Sequence, residues 1–331
     1  MTRSTRLLTH AQIARLLDVR TAIRIVRAAF VAMAHGKAVM PPKVYLPLPR
    51  QSDFRAMPAY LEHPPACGVK WVNVHPGNRA RGLPTVMAIL VINDPATGFP
   101  LAVMDGLLIT KLRTAAAAAV AAATLARPES RVVGLVGCGA QADTQLLALA
   151  ALFDLAAVRV WGPARGEAAR FCRRMRRQLT GVVWRPCDSV ESCVRAADVI
   201  VTVTPSRRPL VRRAWLAPGT HINAIGADAP GKQELDPQIL REALVIVDDR
   251  EQAIHGGEIN VPARRRQFRP ADIHASLGEI LIGGRRGRRS ASEITVFDST
   301  GLAIHDVALG MEVVRRAQRR GLGRRLRFFI P

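Results

Sequence analysis

One segment limits the possible folds more than any other. An apolar strand candidate, Val132 to Val136, runs into Gly137-Cys138-Gly139-Ala140-Gln141-Ala142 and then into a helical pattern. In such a turn Gly137 permits the tight bend and Gly139 lets the backbone approach a pyrophosphate. Ala142 allows close packing of helix on strand, and free N–H groups at the helix start attract the anion. The glycine pattern alone is weak, and a purely structural turn is the alternative. Here, however, it opens a series in which RVVGLV, AAVRVW, GVVW, DVIVTV, HINAIG and ALVIVDD alternate with helical segments. That alternation calls for a parallel sheet flanked by helices, an α/β class with a dinucleotide-binding site at the first turn.

The rest of the chain follows a different pattern. Thr9 is placed to cap a short helix through Leu17, and apolar residues at helical spacing run from Ala22 to His35, where Gly36 stops them. Between Met40 and Met104 short runs broken by Pro and Gly predict strands: VYLPL, FRAMPAYL, GVKWVNV, TVMAILVI and PLAVM, with a turn over residues 93–98. An alanine-rich helix is expected from Thr110 to Ala126, and a domain boundary at Arg127 to Ser130. EITVFDS reads as a further strand, and a last helix is expected from about Leu302 to Arg320.

Charge narrows the partners less than it first promises. Of 48 basic residues only five are Lys, and the formal net charge is +22. Such an excess points to nucleic acid or an acidic membrane, or else to a solvated surface rich in Arg. The clusters RRMRR, RRRQFR, RRGRR and RRAQRRGLGRRLR lack interleaved aromatics, which favours the solvated surface and no nucleic-acid partner. The start lacks the apolar core of a secretory signal, and the longest apolar run, Ala115 to Ala123, is too short and weak to span a bilayer. Five cysteines without CxxC spacing read as reduced thiols of a cytoplasmic protein with no membrane association and no metal site.

The second strand of a dinucleotide-binding unit should end in a carboxylate that binds the ribose hydroxyls of NAD. Here Val158-Arg159-Val160-Trp161 is followed by Gly162, and the next charged residue is Arg165. A glycine leaves room and Arg165 can pair with a 2′-phosphate, so NAD or NADP is expected as cofactor, with a lean toward NADP.

With the first-domain strands in view, the chain resembles the ornithine cyclodeaminase/mu-crystallin family, and within it the alanine dehydrogenases. The resemblance rests on MPPKVYLPL, FRAMPAY, KWVNVHPGN, GLPTVMAILVINDPATGFPLAVMDG, TKLRTAAAAA, GLVGCGAQA, TPSRRPLV, HINAIGADAPGKQEL, QAIHGGEIN and FDSTGLAIHDVA, and extends to the closing RLRFF. It implies a Rossmann NAD(P)-binding domain over 128–301. It also implies an α+β substrate-binding and dimerisation domain made of 1–127 with 302–331, and hence a homodimer. By the same resemblance Lys43, Arg55 and Arg113 bind the substrate carboxylate, Lys70 is the active-site lysine, and Asp228 is the acid/base group near the amine. Thr85, Arg113, Ala140, Gln141 and Lys232 are implied at the cofactor, with Ser299 near the nicotinamide, and Gly137 and Gly139 of the glycine turn, Arg165 after the second strand and Thr204 are expected to contact it as well.

The residue types suit the oxidation of an α-amino acid, which needs a neutral amine, a hydride acceptor and a route for one proton. Asp228 follows a strand candidate on the sheet edge where ligands of such folds bind, so it can serve as base. Lys70 can stabilise a carboxylate and, with its pKa lowered by neighbouring cations, exchange a proton with water. The implied activity is oxidative deamination of a small L-amino acid, most simply L-alanine to pyruvate and ammonia. The alternatives are ornithine or lysine cyclodeamination with internally recycled NAD, NADPH-dependent ketimine reduction, or a non-catalytic cofactor-binding or nucleic-acid-binding role. His75, His221, His255 and His305 read as structural or as polar groups bordering the site, Cys138 as a packing residue, and Asp248-Asp249 as a strand end that caps the next helix. Glu258 receives no role. Three of the five lysines, Lys43, Lys70 and Lys232, fall at implied contacts, so the scarce lysines mark the site better than the abundant arginines do.

Overall fold

Thr9 opens the first helix through a reciprocal cap, its hydroxyl accepting the Gln12 N–H while the Gln12 side chain accepts the Thr9 N–H. The structure, a computed structural model, describes residues 4–50 and 52–328. Met1 to Arg3 at the start and Phe329 of the closing RLRFF lie outside the described residues. The chain divides into two units, 1–113 with 302–331, and 114–301. The division falls between Arg113 and Thr114, earlier than the expected 127–130 and inside a single helix, α3 (Leu107–Leu125). Small side chains explain it: Ala118, Ala122 and Ala126 belong to the core of the second unit, with Val133, Leu135 and Leu146.

In the first unit, α1 (His10–Ala14) and α2 (Val19–Ala34) follow the capped start, and His35 and Gly36, at φ +71°, end α2 as expected. The strands are β1 (Thr5–Leu8), β2 (Ala38–Val39), β3 (Val44–Leu48), β4 (Ser52–Leu61), β5 (Ala66–Val74), β6 (Val86–Asn93) and β7 (Pro100–Asp105). β3 to β7 pair antiparallel in sequence order, and β2 also pairs with β4. β1, unsuspected from the sequence, lies parallel to β7 and pairs antiparallel with the late strand Arg324–Leu326. Alternation gives the sheet two faces. Met57, Ala59, Leu61, Val72, Leu90 and Ile92 point inward and are buried. The closing helix Ala303–Arg319 lies on that face against β4, β5 and β6, with α2 beside it. Gly310 makes the approach possible, since a Cβ there would lie 2.7 Å from both Leu90 Cδ2 and Ile92 Cδ1.

The second unit is built on β8 (Val132–Val136), β9 (Ala157–Trp161), β10 (Val183–Pro186), β11 (Val199–Thr202), β12 (Arg207–Val211), β13 (His221–Ala224), β14 (Gln233–Leu235), β15 (Leu244–Val247), β16 (Ala275–Ser276) and β17 (Thr295–Asp298). Eight of these form one parallel sheet in the order β10-β9-β8-β11-β13-β17-β15-β16, while β12 and β14 pair separately. Helices α4 (Ala142–Ala150) and α5 (Glu167–Met175) follow β8 and β9. Strands β9 and β10 lie on one side of β8 while β11, β13 and β17 lie on the other. The carboxyl ends of β8 and β11 therefore form the switch point at which such sheets bind ligands. This is the expected Rossmann architecture.

Candidate active site

In the first unit the site grows from a lysine in an apolar row. β5 turns Lys70 inward between Gly68 and Val72, opposite Met57 on β4 and Leu90 on β6, and its side chain is only 1% exposed. A lone ammonium there would be very costly, so it needs a counter-ion. The closing helix supplies one: Lys70 Nζ donates to Asp306 Oδ2 at 2.7 Å, and Arg113 Nε from α3 donates to Asp306 Oδ1 at 3.2 Å. Burial, then the charge of Arg113, pushes Lys70 down to about 7 against the opposing pull of Asp306, and Lys43 lowers it further. Burial works to raise Asp306, yet Lys70 and Arg113 hold it below the usual carboxylate range. A lysine poised near neutrality beside fixed cations can hold an anion and exchange a proton.

Arg55 also faces inward, 5% exposed, but it is tied to Asp53 by Nε–Oδ1 and Nη2–Oδ2 bonds of 2.8 and 3.1 Å. Its guanidinium lies 5.2 Å from the Tyr45 ring centre. Lys43 is half-buried just before β3, and Thr85 is exposed just before β6, its carbonyl accepting the His75 N–H at 2.7 Å. The first unit thus brings Lys70, Arg113 and Lys43 into one electrostatic group. Asp306, which holds that group together, was missed by sequence reasoning. Its signal was present as an acid at helical spacing from Leu309, Gly310 and Val313, on a face otherwise apolar.

In the second unit the turn after β8 has the predicted form. Gly137 adopts φ +115°, and a Cβ there would lie 2.8 Å from Val203 O and 3.0 Å from Thr204 Cγ2. At Gly139 a Cβ would meet nothing within 4 Å, so the backbone is open to a ligand. Gln141, beside the exposed Ala140, leads into α4 without a side-chain cap, and its buried Oε1 accepts no hydrogen bond from the described residues. The open turn and the first N–H groups of α4 fit the phosphates of a dinucleotide, which Gly137, Gly139, Ala140 and Gln141 would border. Arg165 is exposed in the turn after β9, and no carboxylate stands at Gly162.

Thr204 is held by Glu234, whose Oε1 accepts both its N–H and its hydroxyl at 2.7 Å, while Oε2 accepts the Gly226 N–H at 2.9 Å. Glu258 gains the role the sequence did not give it, accepting the backbone N–H groups of Glu234 and Leu235. Asp298 in turn accepts the N–H groups of Glu258 and Ile259, and burial pushes it up to about 8. Asp249 caps the next helix as expected, but Asp248 instead binds Gly301 N–H and Thr300 hydroxyl at 2.7 and 2.9 Å. These carboxylates fix the loops at the carboxyl edge of the sheet. Asp228, in one of those loops, accepts from Lys232 Nζ at 2.5 Å, and both side chains keep some exposure. Ser299 is buried after β17 with its N–H on Ala224 O.

The remaining candidates take structural places. His221 bonds to Thr295 and Asn223, His255 bonds to Glu251 O, and His305 lies edge-on to Phe30. Burial pushes the Cys138 thiol up to about 12, which suits packing and not reaction. Among the described residues no cluster of His, Cys, Asp or Glu could hold a metal.

The description ornithine cyclodeaminase/mu-crystallin family matches residues 3–321. An alanine dehydrogenase of Archaeoglobus fulgidus is 48% identical over 98% of this chain and 99% of its own. A solved archaeal alanine dehydrogenase dimer with bound NAD superposes with a TM-score of 0.95 at 48% identity, over 99% of this chain and 100% of the other. The Thermococcus litoralis Δ1-pyrroline-2-carboxylate reductase, solved with NADH and L-proline, gives a TM-score of 0.94 at 33% identity, covering 97% of this chain and 100% of that one.

Proposed function

Because the chain belongs to the ornithine cyclodeaminase/mu-crystallin family, we propose that it is an NAD(P)-dependent amino-acid dehydrogenase that converts a small L-amino acid, foremost L-alanine, to its keto acid and ammonia. The observation that carries this reading is Lys70, buried, drawn to about 7 and grouped with Arg113 and Lys43. An α-carboxylate is the anion such a group suits, with Arg113 and Lys43 supplying fixed charge and Lys70 a movable proton. Arg55 supports the same wall while Asp53 holds its guanidinium. When bound, the nicotinamide accepts the hydride from Cα. In this reading Asp228 removes the proton that keeps the substrate amine charged, and Lys232 orients its carboxylate. Lys70 near neutrality can pass a proton to or from water as the imine is hydrolysed.

Two chains pairing through the first unit is part of this reading. The outer face of its sheet carries Val44, Leu46, Trp71 and Ile89, exposed by 63, 51, 42 and 53%, and a second copy would cover them. We assign the enzyme to the cytoplasm, in keeping with five free cysteines. The helix Leu107–Leu125 is long and apolar enough to cross a membrane, but 72% of its apolar window is buried within the fold.

The test is oxidation of a panel of L-amino acids with NAD and with NADP, followed as net reduced cofactor and released ammonia. Net NADH or NADPH with L-alanine supports the reading. A cyclic amino acid formed from ornithine or lysine without net reduced cofactor would overturn it in favour of cyclodeamination. Asp228→Asn should abolish turnover and leave nucleotide binding intact.

A further inference from the structure

The missing acid after β9 has a substitute in space. A Cβ built on Gly162 would lie 3.0 Å from Glu167 Oε2 and 2.9 Å from Cys138 Sγ. Glu167 is the first residue of α5, and α5 starts only after the turn 162–166, in which Gly166 takes φ +73°. The helix thus returns its first carboxylate to the volume that a side chain at 162 would occupy. Oε2 accepts a bond of 3.3 Å from Ala164 N–H, and Oε1 accepts none among the described residues. Cys138 Sγ lies on Trp161 O at 3.4 Å, which brings the phosphate turn and the end of β9 together beside this carboxylate. The thiol, pushed up by burial and by the charge of Glu167, stays neutral there.

We propose that Glu167 takes the place of the absent strand-end acid and accepts the adenosine ribose hydroxyls, so that NAD(H) is preferred to NADP(H). A carboxylate accepts two adjacent hydroxyls well and repels a 2′-phosphate. This reverses the lean toward NADP that Gly162 and Arg165 suggest, because Glu167 reaches the same spot from the next element. The inference rests on the dinucleotide reading above, but it is tested by binding alone.

The experiment is titration of NADH and NADPH into the folded protein by calorimetry, for the wild type, Glu167→Gln, and Gly162→Asp combined with Glu167→Ala. The wild type should bind NADH at least tenfold more tightly than NADPH. Glu167→Gln should weaken NADH about tenfold and narrow the ratio, and the double variant should restore NADH binding by returning an acid to the strand end. Equal affinity of the wild type for both nucleotides, or an unchanged NADH affinity in Glu167→Gln, overturns the proposal. If neither nucleotide binds, the dinucleotide reading fails and this inference fails with it.

Discussion

Lys70 and Asp306, 236 positions apart in sequence, meet at 2.7 Å within the first unit, and neither side chain reaches solvent by more than 1%. Asp306 also accepts from Arg113, so one carboxylate balances two cations in a place that water does not screen. The carboxylate therefore sets how much of Lys70 is charged at neutral pH.

Asp306→Asn should remove the one influence that raises Lys70. With burial and Arg113 unopposed, the lysine loses its proton below the present value of about 7. A protonated Lys70 attracts a carboxylate, so affinity for a keto acid such as pyruvate should fall with rising pH through about 7 in the wild type. In the variant the same fall should occur at lower pH, with affinity at pH 7.5 reduced about tenfold or more. Titration of pyruvate against pH decides it, and superimposable profiles would remove Asp306 from this role.

Gly137 and Gly139 separate strain from ligand access. Gly137→Ala combines φ +115° with a Cβ 2.8 Å from Val203 O, so about 1–3 kcal/mol of stability should be lost along with nucleotide affinity. Gly139→Ala enters open space and should leave the melting temperature unchanged while weakening NADH at least tenfold. Thermal unfolding and calorimetry on both variants make the check. A Gly139→Ala protein that binds NADH normally would take the pyrophosphate away from this turn.

His305 should govern part of the acid sensitivity. Burial, then the charge of Arg113, pushes it down to about 3, and neither ring nitrogen has a hydrogen-bond partner among the described residues. The unfolded chain takes up a proton near 6.5 while the folded one resists until about 3. Stability from this group is therefore present above 6.5 and lost progressively as pH falls toward 3. His305→Leu should raise the melting temperature at pH 5 more than at pH 8, with about 1–3 kcal/mol regained from the unpaired nitrogens. An equal shift at both pH values would contradict the linkage.

Trp71→Asp should leave the fold intact and break self-association. Trp71 stacks on Phe54 at 5.2 Å on the outer sheet face and is 42% exposed, so a charge there is tolerated by water but not by a second apolar face. Sedimentation velocity should show a dimer for the wild type and a monomer for the variant. A dimer in both would move the interface elsewhere.

The parallel sheet was legible because each strand from RVVGLV to ALVIVDD is a continuous apolar run, a pattern that burial on both faces imposes. Lys43, Arg55, Lys70 and Asp228 became readable through family resemblance, since a lysine in a strand or an aspartate in a turn has ordinary structural uses. Asp306 and Glu258 stayed hidden because their work is defined by partners far along the chain, Lys70 in one case and the backbone of Glu234 in the other. β1 was equally hidden, as four residues form a strand only once β7 and Arg324–Leu326 offer their edges. Glu167 escaped notice because the rule for the ribose acid counts along the strand, whereas the fold delivers the carboxylate from the following helix.

The helix Ala303–Arg319 leaves the ribosome well after the strands it covers, and it carries the carboxylate that neutralises Lys70. The second unit, continuous from Thr114 to Gly301, is already synthesised by then and can collapse on its own core. The first unit cannot follow, because its sheet keeps Leu90, Ile92 and a strand-borne ammonium uncovered until Ala303–Arg319 emerges. Chaperone demand during translation should therefore centre on the strands of the first unit. A nascent chain arrested before Leu302 should carry a folded second unit and a protease-sensitive first one.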